Sequence, residues 1–320
     1  MLQKIFNKLE SPQEQQEDIY KTELIFGKSH RIGKNYKGLP SILINTKKNN
    51  DSVTPYKGMN IRLRFDINCK IHEKNERENY TILSCISNDD QTIKIFLDIC
   101  ETTISQLGKE PTSKEIKEKT QIIIDLFKEL PNKRSSIIGL WGELFLITSS
   151  RSISKCLEAW HQHSEDKYDF YNDNEALEVK CTTKTDRKHQ FKHDQLISNL
   201  TDHYVSSIMS RENHTKGLSV VDLHNKIKEK NLSNHLINKL KTIYYKIVGK
   251  LPEEELNDYR YDFDFAKKNL LYFKVSELST LVNNDQSISD IKYTIDLSQK
   301  QKVDSLSKDK FTSYLYFPSD

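Results

Sequence analysis

The amino-acid sequence predicts a mixed α/β (α+β) protein with an antiparallel β region at its N-terminus, and two changes in residue pattern support that class. Polar and apolar residues alternate across much of residues 60–101, which is typical of half-buried strands. From Thr112 onward the apolar residues recur at helical spacing, and alternation returns only in later segments. We therefore divide the chain into a β-rich region at residues 1–110 and a second region at residues 111–320.

The composition restricts the function classes only weakly. A chain of 320 residues suits one large domain or two of ordinary size, and its 49 basic against 46 acidic residues neither demand nor exclude nucleic acid. The five cysteines show no zinc-ligand spacing and no disulfide framework, which fits a reducing compartment. No secretory apolar run begins the chain and no stretch approaches membrane-spanning length, so we expect a cytoplasmic protein with no membrane partner.

The N-terminal region is predicted to contain one short helix and a series of strands. The helix covers residues 3–10, and the strands cover residues 20–26, 40–45, 60–69, 80–88 and 92–101. A turn at residues 88–90 separates the last two strands in this interpretation. Arg62, Arg64 and Lys94 would line one face of this sheet, either as a solvated face, which we favour, or as a binding face.

Two helices are predicted next, and the second carries an unusual acid. Thr112 and Ser113 can cap a helix over residues 115–130. The following helix, residues 137–150, is apolar nearly all round, which indicates burial. Its one acid, Glu143, needs a partner in such surroundings. That partner is either a nearby arginine or backbone amide, or a site shared with other acids.

Residues 167–181 are predicted to form a β-hairpin with a tight polar turn. If Asp173 and Asn174 form a two-residue loop, a dipeptide that tolerates positive φ, the register of the hairpin is fixed. Asp169 then faces Glu178, with Cβ atoms roughly 5 Å apart. The hairpin would therefore bring two carboxylates together.

Two carboxylates at that distance repel each other unless a cation lies between them or one of them is protonated. Lys180 points to the same face as Glu178, because successive side chains on a strand alternate. An acid pair beside an amine is the composition of a metal-and-water site. The same residues would also suit an exposed hairpin held by salt bridges, and the local pattern leaves both interpretations open.

A basic run follows the hairpin directly. Its members are Lys184, Arg187, Lys188, His189 and Lys192. Such a run usually forms a solvated face, but its position after the candidate site favours a second interpretation, a loop that grips phosphate groups. No cysteine or acid completes a zinc ligand set with its histidines.

The remaining elements place these residues in a fold. A helix beginning at residue 194 carries Gln195. Strands are predicted at residues 157–160, 203–210, 269–278, 290–299 and 311–317, and helices at residues 218–230 and 234–248.

The order of these elements, and several short motifs, resemble the PD-(D/E)XK nuclease superfamily. That order is a helix with a glutamate, a strand, a strand with an aspartate, a strand with Glu-x-Lys, and then a helix. The matching segments are GLWGEL at 139–144, Trp160, YDF at 168–170, LEVKCT at 177–182, Arg187 with His189, and QL at 195–196. More narrowly, these motifs are similar to a bacterial family of this superfamily that is usually encoded beside restriction and phage-defence genes.

The resemblance implies a restriction-endonuclease-like core, in which a mixed central sheet is flanked by helices. It also implies a metal site. Asp169 and Glu178 would ligate Mg²⁺, for which Mn²⁺ can substitute, and the carbonyl of Val179 would complete the ligand shell. Glu143 would hold a second metal ion or a bridging water.

The resemblance further implies that Lys180 orients and deprotonates the attacking water, or neutralises charge on the phosphate, and that Gln195 positions the site. The bound metal would polarise the scissile phosphodiester and lower the pKa of its water. Two positions depart from the pattern. Tyr168 replaces the proline that usually precedes the first acid, which is a common change. Asn199 stands where the helicase-linked branch has a tyrosine, which argues against exonuclease activity.

Together these observations predict a Mg²⁺-dependent DNA endonuclease that serves restriction or phage defence, with residues 1–110 recognising substrate or partner. DNA is the expected partner. A methyltransferase or other defence-system subunits would be further partners, and a homodimer would supply one site for each DNA strand. Two alternatives stay open: a DNA-binding or assembly subunit that does not cut, and an RNase.

Overall fold

The computed structural model describes residues 1–27, 29–47, 53–71, 76–129, 137–161, 166–172, 175–197, 200, 202–278 and 291–303. The chain divides into two compact units. The first unit comprises Met1–Lys133 and Lys241–Lys250, and the second comprises Arg134–Leu240 and Leu251–Asp320. The first unit therefore extends beyond residue 110 and includes a distant segment of the chain.

The first unit contains a β-sheet in which all but one of the described strands form a closed ring. The elements in chain order are α1 (Leu2–Lys8), β1 (Ile19–Leu24), β2 (Arg31–Lys34), β3 (Pro40–Ile44), β4 (Tyr56–Lys57), β5 (Ile61–Ile71), β6 (Glu76–Cys85), α2 (Asp90–Ser105) and α3 (Ser113–Glu129). The strand order is β1-β2-β3-β6-β5-β4, and β1 also pairs with β5. That last pairing is parallel and the others are antiparallel, so the predicted antiparallel region is largely confirmed but closes into a barrel.

The strand predicted at residues 92–101 is wrong, because these residues lie in helix α2. Asp89 is the N-cap of that helix, and its carboxylate accepts a hydrogen bond from the Thr92 amide at 2.8 Å. The polar residues interpreted as a hairpin turn therefore start a helix instead. Ile95 and Ile99 point to the core at a spacing of four, which the alternating pattern concealed.

Arg62, Arg64 and Lys94, which were predicted to line one face of the N-terminal sheet, do not all lie on that sheet. Lys94 lies on α2 and not on a strand. Arg64 is partly buried in an ion pair with Asp18, at 2.5 Å, so its charge is already matched.

The second unit contains a mixed four-stranded sheet with helices around it. Its elements are α4 (Ile137–Ser149), α5 (Ile153–Ala159), β7 (Phe170–Asn172), β8 (Glu175–Thr182), β9 (Lys188–Lys192), α6 (His193–Leu196), β10 (Asp202–Met209), α7 (Val220–Lys228), part of α8 (Asn234–Val248), α9 (Glu253–Asp258), α10 (Phe263–Lys268), β11 (Leu270–Lys274) and β12 (Lys292–Asp296). The strand order is β11-β10-β8-β7, and β9 pairs separately with β12. Because β8 and β10 are parallel while the outer pairs are antiparallel, the sheet is mixed, as predicted.

Most of the elements predicted for this unit are confirmed, with one correction. Residues 153–159 form helix α5, so the strand predicted at 157–160 is wrong, although Trp160 makes an isolated bridge to Phe170. The strand predicted at 311–317 lies outside the described residues. Within the described ranges, no helix is both long enough and apolar enough to cross a membrane.

Helix α4 packs directly on β8, and a glycine permits the close approach. A Cβ atom at Gly142 would lie 2.8 Å from the Cβ of Cys181 and 3.4 Å from Val179 Cγ1. No other residue fits that space without a shift of the strand or the helix. The next residue on α4 is Glu143, so this contact fixes where the buried acid can reach.

Candidate active site

The hairpin adopts the predicted register. In the antiparallel pair of β7 and β8, Asn172 lies opposite Glu175 and Phe170 lies opposite Leu177. Residues 173 and 174, to which the turn was assigned, lie outside the described residues. Asp169 precedes β7, and its Oδ2 accepts a hydrogen bond of 2.6 Å from the amide of Val179.

Glu178 is the most buried acid of the site, with 2 % of its surface exposed. Its Oε1 accepts hydrogen bonds from Lys180 Nζ and from Gln195 Nε2, both at 2.7 Å. Its Oε2 is buried and has no hydrogen-bond partner among the described residues. Burial raises the pKa of Glu178, the charge and hydrogen bond of Lys180 oppose that shift, and the charge of Glu143 adds to it.

The pKa of Asp169 is raised for similar reasons. Its pKa is raised well above the usual range, first by burial and then by the negative charges of Glu178 and Glu143. The Val179 amide and the charge of Lys180 oppose the shift. The other two acids, Glu178 and Glu143, are therefore both close enough to affect the ionisation of Asp169.

Among the residues that the structure describes, the partners of the Glu143 carboxylate are an indole and an imidazole, and not an arginine or a backbone amide. Its Oε2 accepts a hydrogen bond from Trp160 Nε1 at 2.7 Å and lies 3.2 Å from His161 Nε2. The amide of His161 donates to the carbonyl of Asp169 at 2.8 Å. The carboxylate of Glu143 is thereby held next to the segment that carries Asp169.

The acids approach from two sides of the sheet. Helix α4 covers the face of β8 that carries Val179, whereas Glu178 and Lys180 point to the other face. Trp160, which binds Glu143, bridges to Phe170 at the edge of the sheet beyond β7. Glu143 therefore reaches Asp169 around the β7 edge and does not share a face with Lys180.

The site fits a small divalent cation held by few protein ligands. Among the described residues, no group of three or more His, Cys, Asp or Glu side chains is arranged to hold a metal ion. Asp169 and Glu178 supply two carboxylates, and Mg²⁺ in proteins often takes one or two carboxylates and keeps several waters. The buried Oε2 of Glu178, which has no hydrogen-bond partner in the described part of the chain, is an oxygen that a cation would satisfy.

The carbonyl of Val179 also suits this ligand set. The amide of Val179 points towards Asp169, since it donates to that carboxylate. The amide and carbonyl of one strand residue project towards the same neighbouring strand. The carbonyl therefore projects to the side where β7 has ended and Asp169 lies.

The basic run divides into exposed and buried members. Strand β9 alternates, so that Lys188 and Lys192 are exposed while His189 and Phe191 are buried. Lys184 is exposed as well. Lys188 also lies 3.4 Å from Asp186. Three lysines are thus exposed on the surface after the hairpin, and one of them, Lys188, has an acidic neighbour.

Arg187 and His189 are not on the surface where the sequence argument placed them. Arg187 donates hydrogen bonds to the carbonyl of Ser207 at 2.8 Å and to that of Asn269 at 2.6 Å. His189 Nε2 lies 2.8 Å from Ser207 Oγ, and burial lowers the pKa of the imidazole to about 4. Both side chains therefore join β9 to the central sheet, because their partners lie on β10 and just before β11.

We expect Arg187→Ala to lower the free energy of unfolding by about 3 kcal/mol, since the hydrogen bonds from a buried charge to two carbonyls are removed. Chemical denaturation measures this change. Lys188→Ala is the matched control, because its side chain is exposed and should alter stability by less than about 0.5 kcal/mol. An Arg187→Ala protein of unchanged stability but weaker DNA binding would contradict this structural role and indicate that Arg187 contacts DNA.

Two residues of the site were not assigned a role from the sequence. Trp160 is one of the positions that resemble the family, but the sequence predicts no contact of Trp160 or His161 with the acids. Both act by reaching Glu143, which is 17 and 18 residues away along the chain. The spacing of two aromatic residues after a helix does not predict a contact with a glutamate on an earlier helix.

Comparison with known proteins supplies one match. No curated protein and no solved structure matches the chain. The family described as "Putative PD-(D/E)XK family member, (DUF4420)" matches residues 2–298, which is nearly the whole sequence. The chain therefore belongs to this PD-(D/E)XK family.

Proposed function

We propose that this protein is a Mg²⁺-dependent endonuclease that hydrolyses phosphodiester bonds of DNA, with Mn²⁺ able to replace Mg²⁺. The observation that carries the proposal is the pairing of Asp169 and Glu178 beside the ammonium of Lys180, with one oxygen of Glu178 that has no hydrogen-bond partner among the described residues. Membership of the PD-(D/E)XK family supports it. The mixed sheet with α4 on one face is consistent with a restriction-endonuclease-like core.

The residues take distinct parts in this reaction. Asp169, Glu178 and the Val179 carbonyl would hold the cation. When bound, the ion supplies positive charge that polarises the phosphodiester and acidifies a water. Lys180, on the same face as Glu178, orients the attacking water and, as an ammonium, offsets charge on the phosphate; it would take the proton of that water only after it had lost its own proton.

Gln195 and Glu143 support this arrangement. Gln195 donates to Glu178 Oε1 at 2.7 Å, and its own Oε1 accepts a hydrogen bond from the Lys192 amide at 3.0 Å. Those two bonds fix one oxygen of Glu178 and leave the other for the cation. Glu143, whose charge affects Asp169, would hold a second ion or a bridging water.

A side-by-side cleavage assay tests the proposal. Duplex DNA, single-stranded DNA and RNA are incubated with the full chain and Mg²⁺ or Mn²⁺, with the Asp169→Asn protein as control. We expect metal-dependent cuts in DNA that the variant does not make. Cleavage of RNA alone would indicate an RNase, and DNA binding without cleavage would indicate a non-catalytic subunit.

We expect the three exposed lysines to contact phosphates. Replacing Lys184, Lys188 and Lys192 by alanine should weaken DNA binding and flatten its dependence on salt, by about 0.9 in the log–log slope for each phosphate that is no longer neutralised. Fluorescence anisotropy at several salt concentrations measures the slope. The control replaces Lys226 and Lys230, which are exposed on and after α7. An unchanged slope in the triple variant would argue against a phosphate role.

The wider setting is also part of the proposal. The motif resemblance supports a role in restriction or phage defence, in a cytoplasmic protein whose residues 1–110 recognise substrate or a partner such as a methyltransferase or another defence-system subunit. A homodimer would allow both strands of a duplex to be cut.

A further inference from the structure

A cavity of about 570 Å³ lies beside the proposed catalytic acids. Its lining includes Trp160 and His161, whose ring nitrogens bind or approach Glu143. It also includes Tyr168, the residue before Asp169. Because consecutive Cα atoms are about 3.8 Å apart, the cavity begins one residue from the proposed metal ligand.

The walls of the cavity are aromatic. The rings of Tyr168 and Tyr171 stack, with centroids 6.3 Å apart and planes inclined by 24°. Tyr168 is buried and meets the ring of His203 edge-on at 4.7 Å, which fixes its position. Tyr171 also lines the cavity, and its large side chain is 49 % exposed. An exposed aromatic ring of this kind is a surface on which an unpaired base stacks.

The charges of the lining disfavour a phosphate and suit a base. Glu158 and Asp166 line the cavity, and among its described lining residues their two carboxylates outnumber the one ammonium, that of Lys167, so the net charge would repel an anionic group. Carboxylates do accept hydrogen bonds from the amino groups on base edges. The ammonium of Lys167, which also lines the cavity, donates to the carbonyl of Ile197 at 2.5 Å. The volume falls in the range of pockets that enclose small organic ligands.

We propose that this cavity binds one unpaired nucleobase of the DNA, next to the phosphate that is cut. The inference rests on the proposed nuclease function and adds a substrate class to it. A base inside a duplex cannot stack on Tyr171, so the preferred DNA is unpaired at the cut, whether single-stranded, mismatched or with a base rotated out of the helix.

Binding to defined DNA tests this inference without any cleavage. Three otherwise identical duplexes are compared in EDTA by fluorescence anisotropy: one fully paired, one with a single bulged adenine, and one with an abasic bulge. We expect the bulged adenine to bind about tenfold more tightly than the abasic bulge, which is at the lower end of what stacking one base on an aromatic ring contributes. With 2-aminopurine at the bulge, stacking on the tyrosine should quench its fluorescence.

Variants at Tyr171 separate the base contact from a general loss of fold. Tyr171→Ala should abolish the tenfold preference and the quenching, while Tyr171→Phe keeps the ring and should retain both. Equal binding of the adenine and abasic bulges by the natural protein, or a preference that survives Tyr171→Ala, would overturn the inference and leave the nuclease proposal standing. Failure to bind any of the three DNAs would count against both.

Discussion

A Lys180→Ala protein is expected to lose metal-dependent DNA cleavage by at least about a hundredfold while it remains folded. Lys180 places its ammonium 2.7 Å from Glu178 and on the same face of β8, which is where the proposed reaction requires a group that orients the attacking water. Positioned acid–base groups of this kind contribute typically about 10²–10⁴ to a rate. Cleavage of a labelled duplex under single-turnover conditions measures the loss.

Folding must be followed in the same preparation, because removing Lys180 leaves Glu178 with one partner fewer. Thermal unfolding and circular dichroism of the variant should resemble those of the natural protein. Lys180→Gln keeps a hydrogen-bond donor near Glu178 and should be equally inactive. The control is Lys216→Ala, an exposed lysine in the loop before α7. Full activity in both Lys180 variants would remove this residue from the mechanism.

Mg²⁺ or Mn²⁺ is expected to raise the unfolding temperature of the natural protein, and Asp169→Asn is expected to prevent this. At a metal concentration of about 100 times Kd, binding stabilises the folded state by about 2.7 kcal/mol. That corresponds to roughly 5–10 °C for a protein unit of this size. The asparagine retains an oxygen for the Val179 amide but loses the charge that attracts the cation.

The same substitution should raise the unfolding temperature when no metal is added. The pKa values of Asp169 and Glu178 are both raised in the folded protein. Because these pKa values are higher in the folded protein than in the unfolded chain, the folded protein becomes less stable as the pH increases from the ordinary pKa through the raised one. At higher pH the ionised pair therefore opposes folding. Removing one charge relieves that repulsion.

Differential scanning fluorimetry with a titration of each metal checks both results. Asp194→Asn, which removes an acid near Gln195 outside the carboxylate pair, serves as the control and should keep the metal-dependent rise. The prediction is contradicted if Asp169→Asn responds to Mg²⁺ as the natural protein does, since the acid pair would then not be the binding site.

The local geometry of the site could be predicted because it depends on short sequence separations. The register of the hairpin follows from a loop of two residues, and the alternation of β8 places Glu178 and Lys180 on one face. Helix α2 could not be separated from a strand, because its apolar residues satisfy both periods and only the cap of Asp89 decides the outcome.

Long-range contacts were beyond the sequence argument. Arg187 looks like any other member of a basic run, yet its partners lie 20 and 82 residues further along the chain. The parallel pairing of β1 with β5, which closes the barrel, is of the same kind. Burial of a charged side chain depends on which carbonyls the fold brings to it, and a local pattern contains no information about that.

Residues 241–250 belong to the first unit although residues 134–240 of the second unit precede them in the chain, and this affects folding during synthesis. Lys241 is 1 % exposed and binds Asp98 at 2.9 Å, and Tyr245 binds the same carboxylate at 3.0 Å. During translation these two residues leave the ribosome only after most of the second unit has been synthesised. The N-terminal unit therefore cannot finish folding first, and a fragment cut after residue 133 would lack two partners of Asp98.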